Sequence, residues 1–176
     1  MKNFITSDLH FYHQNIIKFC PETRGHYSSM DHMHDSMIRE WNSEVSSEDH
    51  TYILGDVAFC VPKKAVEILQ QLNGTKTLII GNHDEKLVKH WEFCDEFLQV
   101  TQYKTIKHND RHIVMMHYPI ARWDRQHYGS LHFHGHMHGK PTVLEGLRAM
   151  DVGYDATGRV VMPLDMAVAQ AAGGQY

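Results

Sequence analysis

Short apolar stretches that end in polar residues recur along the chain and alternate with helical patterns. Residues 2–7, 51–54 and 77–80 each read as an apolar strand, and each stops at a polar or glycine-containing segment. Between them, apolar residues at spacings of three and four predict a helix over 29–45 and another that begins at Pro62. This β-α-β-α-β order is typical of an α/β fold with a largely parallel central sheet.

The later half of the chain is richer in predicted strands. Residues 99–106 and 112–116 read as two strands of a hairpin that turns at 108–110. Further short strands are predicted at 131–133, 148–152 and 160–162, followed by a closing helix over 164–172. We expect a single domain over 1–176, with a loop at 20–28 and a frayed tail at 173–176.

Residues that can bind a metal ion follow strand after strand. Ligands gather beyond the carboxyl ends of strands in open α/β sheets, so such residues can converge there from distant parts of the chain. Each one alone also fits a tight turn or a satisfied core histidine, but the ordered series is better explained by one shared metal centre. The series consists of Asp8, His10, Asp56, Asn82, His83, His117, His136 and His138.

Composition narrows the class of protein. The chain has 176 residues, 42% of them hydrophobic, and a net charge of −4 without a basic run, so we expect no binding of long nucleic acid. Its three cysteines are far apart, which argues against a disulfide framework or a thiolate zinc site. The N-terminal apolar stretch is cut at residues 6–8, too early for a signal peptide or membrane span, so a cytoplasmic location is expected.

The types of ligand narrow the metal. Carboxylates, imidazoles and one amide suit Mn²⁺, Fe²⁺ or Zn²⁺, with Ni²⁺ as a further candidate, and we favour Mn²⁺. A series of this length exceeds what one small ion takes, but it fits two divalent ions that share a carboxylate.

Five sequence blocks resemble the motifs of the calcineurin-like metallophosphoesterases and occur in that family's order. They are Asp8-x-His10, Gly55-Asp56, Gly81-Asn82-His83-Asp84, His117 and Gly135-His136-Met137-His138. The longer phrases SDLHFYHQNI, YILGDVAF, LIIGNHD, HYPIARW, HFHGHMHG and DVGYD look like its compact prokaryotic and phage-type members. The resemblance covers nearly the whole chain. It implies a four-layer α/β/β/α sandwich, in which two mixed sheets are flanked by helices and the metals lie at strand ends.

The resemblance also implies roles for individual residues. His83 matches the position that faces the scissile phosphate, and we predict that its neighbour Asp84, the second catalytic candidate, orients it. The other seven would bind metal: Asp8, His10 and His138 the first ion, Asp56 both ions, and Asn82, His117 and His136 the second.

The expected activity is hydrolysis of a small phosphodiester, cyclic or linear and nucleotide-like, by a hydroxide that bridges the two metals. A phosphomonoesterase of the same fold is the alternative. The chain lacks the Asp-Arg-Gly extension of the protein phosphatases after Gly55-Asp56, and it is too short for the accessory domains of related nucleotidases and nucleases. A non-catalytic binding module is a third hypothesis, although such a module would be expected to have lost ligands or His83.

Further candidates surround the central motifs. Substrate contacts are predicted for His13, Asn15, Arg24 and Arg122, against the alternatives that Asn15 caps a helix and that both arginines are solvated. Trp123 and Tyr128 lie in a loop where they could stack on a base. His132 and His134 belong to the LHFHGHMHG stretch but have no assigned ligand role, and either support for the ligands or a plain strand surface would explain them.

Overall fold

The computed structural model describes residues 1–144 and 146–173, and within them the chain forms nine strands and seven α-helices. The strands are β1 (Asn3–Thr6), β2 (His50–Ile53), β3 (Thr75–Ile79), β4 (Gln99–Thr101), β5 (Tyr103–His108), β6 (Arg111–Met116), β7 (Leu131–His134), β8 (Ala149–Asp151) and β9 (Met162–Pro163). The helices are α1 (Ile16–Phe19), α2 (Pro21–Arg24), α3 (Met30–Glu44), α4 (Pro62–Leu69), α5 (Trp91–Cys94), α6 (Tyr154–Thr157) and α7 (Leu164–Ala171). Residues 174–176 of the predicted frayed tail lie outside the described residues.

The strands form two mixed sheets. The first has the order β4-β3-β2-β1-β9, in which β1 to β4 are parallel and β9 is antiparallel to β1. The second has the order β5-β6-β7-β8, with an antiparallel hairpin at β5-β6 followed by parallel pairs. The predicted parallel sheet is therefore confirmed for the first sheet, and the β-rich later half supplies the second.

The strand period of two explains how the layers pack. Ile5 and its counterparts on β2 and β3 face the second sheet, where they meet Met115 and Phe133 in one buried cluster. Phe4, one residue earlier, faces the other way and packs with α3, whose Met37 and Trp41 are fully buried. The outer face of the second sheet carries Val114 against the loop residues Trp123 and Leu144.

Most predicted elements are present, with three differences. The predicted 20–28 loop contains α2, because Pro21 supplies the fixed φ of a first helical turn. The predicted strand 99–106 is two strands in different sheets, since the chain leaves the first sheet after Thr101 and enters the second at Tyr103. The short helices α1 and α6 have too few residues to leave a periodic pattern.

Helix α3 begins where its cap predicts. Ser29 has extended backbone, and its hydroxyl accepts a hydrogen bond from the His32 N–H.

Among residues 1–144 and 146–173, no helix has both the length and the apolar character needed to cross a bilayer.

Candidate metal centre

The carboxyl ends of five parallel strands bring the predicted ligands together. Asp8 and His10 follow β1, Asp56 follows β2 and Asn82 follows β3, all at one edge of the first sheet. His117 follows β6 and the 136–138 turn follows β7 in the second sheet. Backbone hydrogen bonds join the segments after β1 and β2, for example from Asp8 N–H to Gly55 O at 3.0 Å.

A first cluster consists of Asp8, His10 and His138. Nε2 of His10 lies 3.7 Å from Asp8 Oδ1, and Nε2 of His138 lies 3.9 Å from the same oxygen. Ligand atoms bonded to one ion at about 2.0–2.2 Å lie no more than about 4.4 Å apart, so these distances suit a shared ion. The three residues offer ligand atoms within 4.8 Å of one another.

Buried atoms of this cluster have no hydrogen-bond partner within the described part of the chain. They are Asp8 Oδ1 and both ring nitrogens of His10. A buried polar atom without a partner costs about 1–3 kcal/mol. Burial alone would raise the pKa of Asp8, but the His10 imidazole and its neighbours hold that pKa below the usual value. A cation bound at this position would satisfy Asp8 Oδ1 and one of the two His10 ring nitrogens.

Asp56 connects the first cluster to a second. Its Oδ2 lies 3.7 Å from His10 Nε2, and its Oδ1 lies 3.6 Å from His117 Nε2. One carboxylate therefore faces imidazoles on both sides, which is the arrangement that a bridging ligand requires.

The contacts of His117 fit a cation beside Asn82. Nδ1 of His117 lies 2.6 Å from Leu54 O, and a carbonyl only accepts, so Nδ1 carries a proton. On the other side of the ring, Nε2 lies 3.0 Å from Asn82 Oδ1 and 3.6 Å from Asp56 Oδ1. A cation bound among these three atoms would take Nε2 and both oxygens as ligands. The His136 ring lies beside this group, 5.2 Å from the His117 ring.

Five predicted ligands have left-handed backbone, which is uncommon for residues other than glycine. Such conformations cost about 1–3 kcal/mol each and concentrate at functional sites. The φ angles are 56° at Asp8, 52° at His10, 54° at Asp56, 69° at His136 and 51° at His138.

Two glycines leave the space that the carboxylates occupy. A Cβ on Gly81 would collide with Asp56 Oδ1 and the Asp56 backbone nitrogen, and a Cβ on Gly135 would collide with Ser7 Oγ and Asp8 Oδ2. Gly135 is not among the positive-φ residues, so its backbone does not require glycine. Its smallness is what the site needs.

His83 lies at the open side of the centre. Its backbone N–H donates to Asp56 Oδ1 at 3.0 Å, and its Nε2 lies 3.9 Å from Asp56 Oδ2. The side chain is 44% exposed. The ring is therefore held beside the cluster while its outer face remains accessible to a ligand.

Asp84 does not have the role of orienting the His83 ring. Its carboxylate is fully buried and accepts hydrogen bonds from the backbone N–H groups of Asp56, Val57 and Gly81 at 2.8–2.9 Å. Burial raises its pKa to about 6 against these bonds. Asp84 thus fixes the turn that carries Asp56.

Arg24 is likewise a structural residue, neither a substrate clamp nor a solvated side chain. It is fully buried, forms two 2.9 Å bonds to Asp155, and donates to the Asp8 and Leu9 carbonyls. Asp155 in turn lies 2.7 Å from His138 Nδ1, so that His138 presents Nε2 to the cluster. Burial would raise the pKa of Asp155, but hydrogen bonds from His138 and Arg24 hold it well below the usual value.

The other three residues predicted to contact substrate have different environments. His13 lines a pocket of about 490 Å³ together with His10, His83 and His138. Asn15 occupies the N-cap position of α1 without a side-chain cap bond. Arg122 is exposed and lines a different pocket, to which none of the seven predicted ligands contributes.

The remaining candidates serve the loops. His132 is buried, and its ring bonds Val114 O and the Ile120 N–H, which holds the loop after His117. Burial lowers its pKa to about 4, so the ring is neutral near pH 7. His134 Nδ1 lies 3.0 Å from Gly135 O, next to the ligand turn. A plain strand surface is therefore the wrong interpretation for both.

The aromatic residues predicted to stack on a base have different environments. Trp123 is buried, and its Nε1–H donates to Ser130 O at 3.2 Å, which is a structural contact. Tyr128 is 79% exposed.

Sequence reasoning missed residues that contact the ligands. Asp155 lies in the DVGYD phrase and contacts the His138 ring. Nothing in the spacing of the sequence links Asp155 to its other partner, Arg24, which is 131 positions away. Cys20 forms another possible ligand group with His138 and Asp155. Phe59 stacks on His10 with a 5.3 Å separation of ring centres. The signal that was available for Phe59 is its position three residues after Asp56.

Comparison with known proteins finds relatives that match nearly the whole chain. No protein-family model matches it. An uncharacterized protein of Methanocaldococcus jannaschii is 29% identical over 174 residues, covering 95% of this chain and 89% of that protein. The Gene 66 protein of Mycobacterium phage L5 is 26% identical over 188 residues, covering 90% and 88% respectively.

A solved structure has the same fold. The crystal structure of AQ665, a protein of unknown function from Aquifex aeolicus, matches with a TM-score of 0.74 and 23% identity, covering 96% of this chain and 98% of that one. At this identity the likeness shows a shared fold alone.

Replacing Gly81 tests whether the metal ligands depend on close backbone approach. We expect Gly81→Ala to weaken Mn²⁺ binding by roughly 10–100-fold, because the new methyl group displaces the Asp56 carboxylate. Isothermal titration of metal-stripped protein measures this, with Gly173→Ala as the control because it meets no close neighbour. Wild-type affinity in a folded Gly81→Ala variant would contradict the assigned role of Asp56.

Replacing Arg24 tests the buried ion pair. Arg24→Met leaves Asp155 buried without its cationic partner, so we expect a loss of about 3–5 kcal/mol in the free energy of unfolding, measured in urea. Arg39→Met, at an exposed position, is the control and should cost less than about 0.5 kcal/mol.

The same pair predicts a pH dependence. The pKa of Asp155 is lowered on folding, so its contribution is complete above its unfolded pKa of about 3.9 and is lost as the pH falls further. The stability difference between wild type and Arg24→Met should therefore shrink below about pH 4. A difference that stays constant from pH 7 to pH 3 would contradict the pairing.

Proposed function

We propose that this protein is a phosphoesterase with two divalent metal ions and that it favours phosphodiesters. The observation that carries the proposal is the convergence, at the strand ends, of buried side-chain atoms that have no partner among the described residues, with exposed His83 beside them. The ordered motifs resemble the calcineurin-like metallophosphoesterases, and membership of that superfamily, with its four-layer sandwich, is part of the proposal.

The donor set fits two ions. One would be held by Asp8, His10 and His138, with Asp56 as the shared ligand. The other would be held by Asp56 together with Asn82, His117 and His136. Mn²⁺ is our favoured ion because the donors are oxygen and imidazole nitrogen. When bound, two such ions would lower the pKa of water towards neutrality and neutralise charge on the phosphate oxygens.

The residues of the chain orient the reaction. Asp84 fixes the turn of Asp56, and Asp155 fixes the His138 ring. His83 projects outward from the cluster, where its ring can donate a proton to the leaving oxygen or a hydrogen bond to a phosphoryl oxygen. Imidazole suits this task because it exchanges protons near neutral pH.

Pockets on two sides of His83 favour a diester over a monoester. One, of about 490 Å³, lies towards His10 and His138. The other, of about 470 Å³, lies towards Asn82 and Leu87. His83 and Phe59 line both pockets. A phosphate between them would have room for an organic group on each side, whereas a monoester would use one pocket alone.

Hydrolysis of matched aryl esters tests the proposed activity. Metal-stripped protein is assayed with and without Mn²⁺ on bis(p-nitrophenyl) phosphate and on p-nitrophenyl phosphate. We expect cleavage only with Mn²⁺, and a higher kcat/KM for the diester. A preference for the monoester would replace the phosphodiesterase with a phosphomonoesterase. Protein that binds two Mn²⁺ but cleaves neither ester would support a non-catalytic binding module.

Replacing His83 tests its part in turnover. We expect His83→Ala to lower kcat by about 10²–10⁴-fold, because proton donation to the leaving oxygen is lost. Bound Mn²⁺ should be unchanged, since the contact of residue 83 with Asp56 Oδ1 comes from its backbone. His90→Ala, at an exposed position nearby, is the control. Loss of metal together with activity would show that His83 is a ligand instead.

A further inference from the structure

An aromatic row leads away from the candidate metal centre. It consists of Phe19, His13, Phe59 and His83, in that spatial order. The ring centres are 5.8 Å apart between His13 and Phe19, 4.1 Å between His13 and Phe59, and 4.2 Å between Phe59 and His83. All four residues line the 490 Å³ pocket, and Ile16 adds an aliphatic wall.

Phe19 is unusual in this row because the fold does not use it. Its side chain is 68% exposed at the end of α1, outside the buried clusters. An exposed large aromatic residue is common by itself. Here it borders a pocket whose other walls are also aromatic, so a flat ring entering the pocket would bury Phe19 and Phe59 together. Rings stacked in this way gain about 0.5–1.5 kcal/mol beyond the burial of their area.

His13 adds a polar atom to the apolar walls. Its Nδ1 is buried and has no hydrogen-bond partner among the described residues. Each ring nitrogen of an imidazole can form a hydrogen bond, as a donor or as an acceptor according to the tautomer. A ligand atom with the matching hydrogen-bond chemistry would satisfy Nδ1.

The second pocket beside His83 is different. Val61 and Leu87 give it aliphatic walls, and Glu85 and Lys86 give it charged ones. Apart from the shared Phe59 and His83, none of the described residues that line it is aromatic. The two sides of the centre thus suit different organic groups.

We propose that the pocket formed by His13, Ile16, Phe19 and Phe59 binds one organic arm of the phosphodiester, and that this arm carries a heteroaromatic ring. The ring lies against Phe19 and Phe59, and one of its heteroatoms pairs with His13 Nδ1. This inference rests on the proposed phosphodiesterase function. The other arm, in the pocket lined by Val61 and Leu87, needs no ring.

Two chromogenic diesters test this assignment. Thymidine 5′-(p-nitrophenyl phosphate) carries a heteroaromatic arm, and methyl p-nitrophenyl phosphate lacks it, while both release the same leaving group. With Mn²⁺, we expect Phe19→Ala to lower kcat/KM for the thymidine ester by roughly 5–100-fold, mainly through KM, since stacking of a base contributes about 1–3 kcal/mol. In Phe19→Ala, kcat/KM for the methyl ester should change by less than about twofold. In Phe19→Tyr, kcat/KM for the thymidine ester should return to the wild-type value. An equal fall for both esters would overturn the proposal.

A binding measurement separates this proposal from the proposed activity. Thymidine is titrated into metal-stripped protein while the His13 ring signals are followed by NMR. We expect shifts that saturate in wild type and in Trp91→Ala, a control at an exposed aromatic residue outside the pocket, but not in Phe19→Ala. If Mn²⁺-loaded protein cleaves neither ester, the proposed activity fails while this titration still decides the pocket. Unchanged His13 signals in wild type would overturn the assignment of the arm.

Discussion

Two buried carboxylates, Asp8 and Asp56, are the constraint on which the rest of the structure depends. Each follows a parallel strand, and each is at most 2% exposed. Burying a carboxylate is costly unless it is paired or binds a metal. Asp8 Oδ1 nevertheless has no hydrogen-bond partner within the described residues, and two of the imidazoles near the carboxylates, His117 and His138, are oriented by contacts on their far sides. The fold therefore holds a set of donors together that a cation would stabilise.

Much of the surrounding structure serves to hold those donors in place. Left-handed backbone at the ligand turns costs free energy that tertiary contacts must offset. Asp84 offsets part of it by binding three backbone N–H groups around Asp56. Arg24 and Asp155 act similarly on the other side, where they connect the Asp8 carbonyl to the His138 ring. Rigid support of this kind limits how far the ligands can relax when no metal is bound.

The sequence predicted the convergence of these side chains because their signal is local. An apolar run that stops at Asp8 or at Asp56 marks a strand end, and parallel strands bring such ends to one edge. The roles of Arg24 and Asp84 could not be predicted in this way. Their partners depend on burial and on chain segments far away, and an arginine in a polar loop reads as solvated. The division of residues 99–106 between two sheets was hidden for the same reason, since the apolar pattern continues across the change of sheet.

We propose that the strand ends hold two metal ions which share Asp56. Anomalous diffraction from crystals soaked in Mn²⁺ tests it most directly, because the peaks report both the number and the position of the ions. We expect two anomalous peaks, and Asp56 should contact both. One peak should lie among Asp8, His10 and His138, and the other among Asn82, His117 and His136. A single peak at Cys20, His138 and Asp155, or no peak at the strand ends, would contradict it.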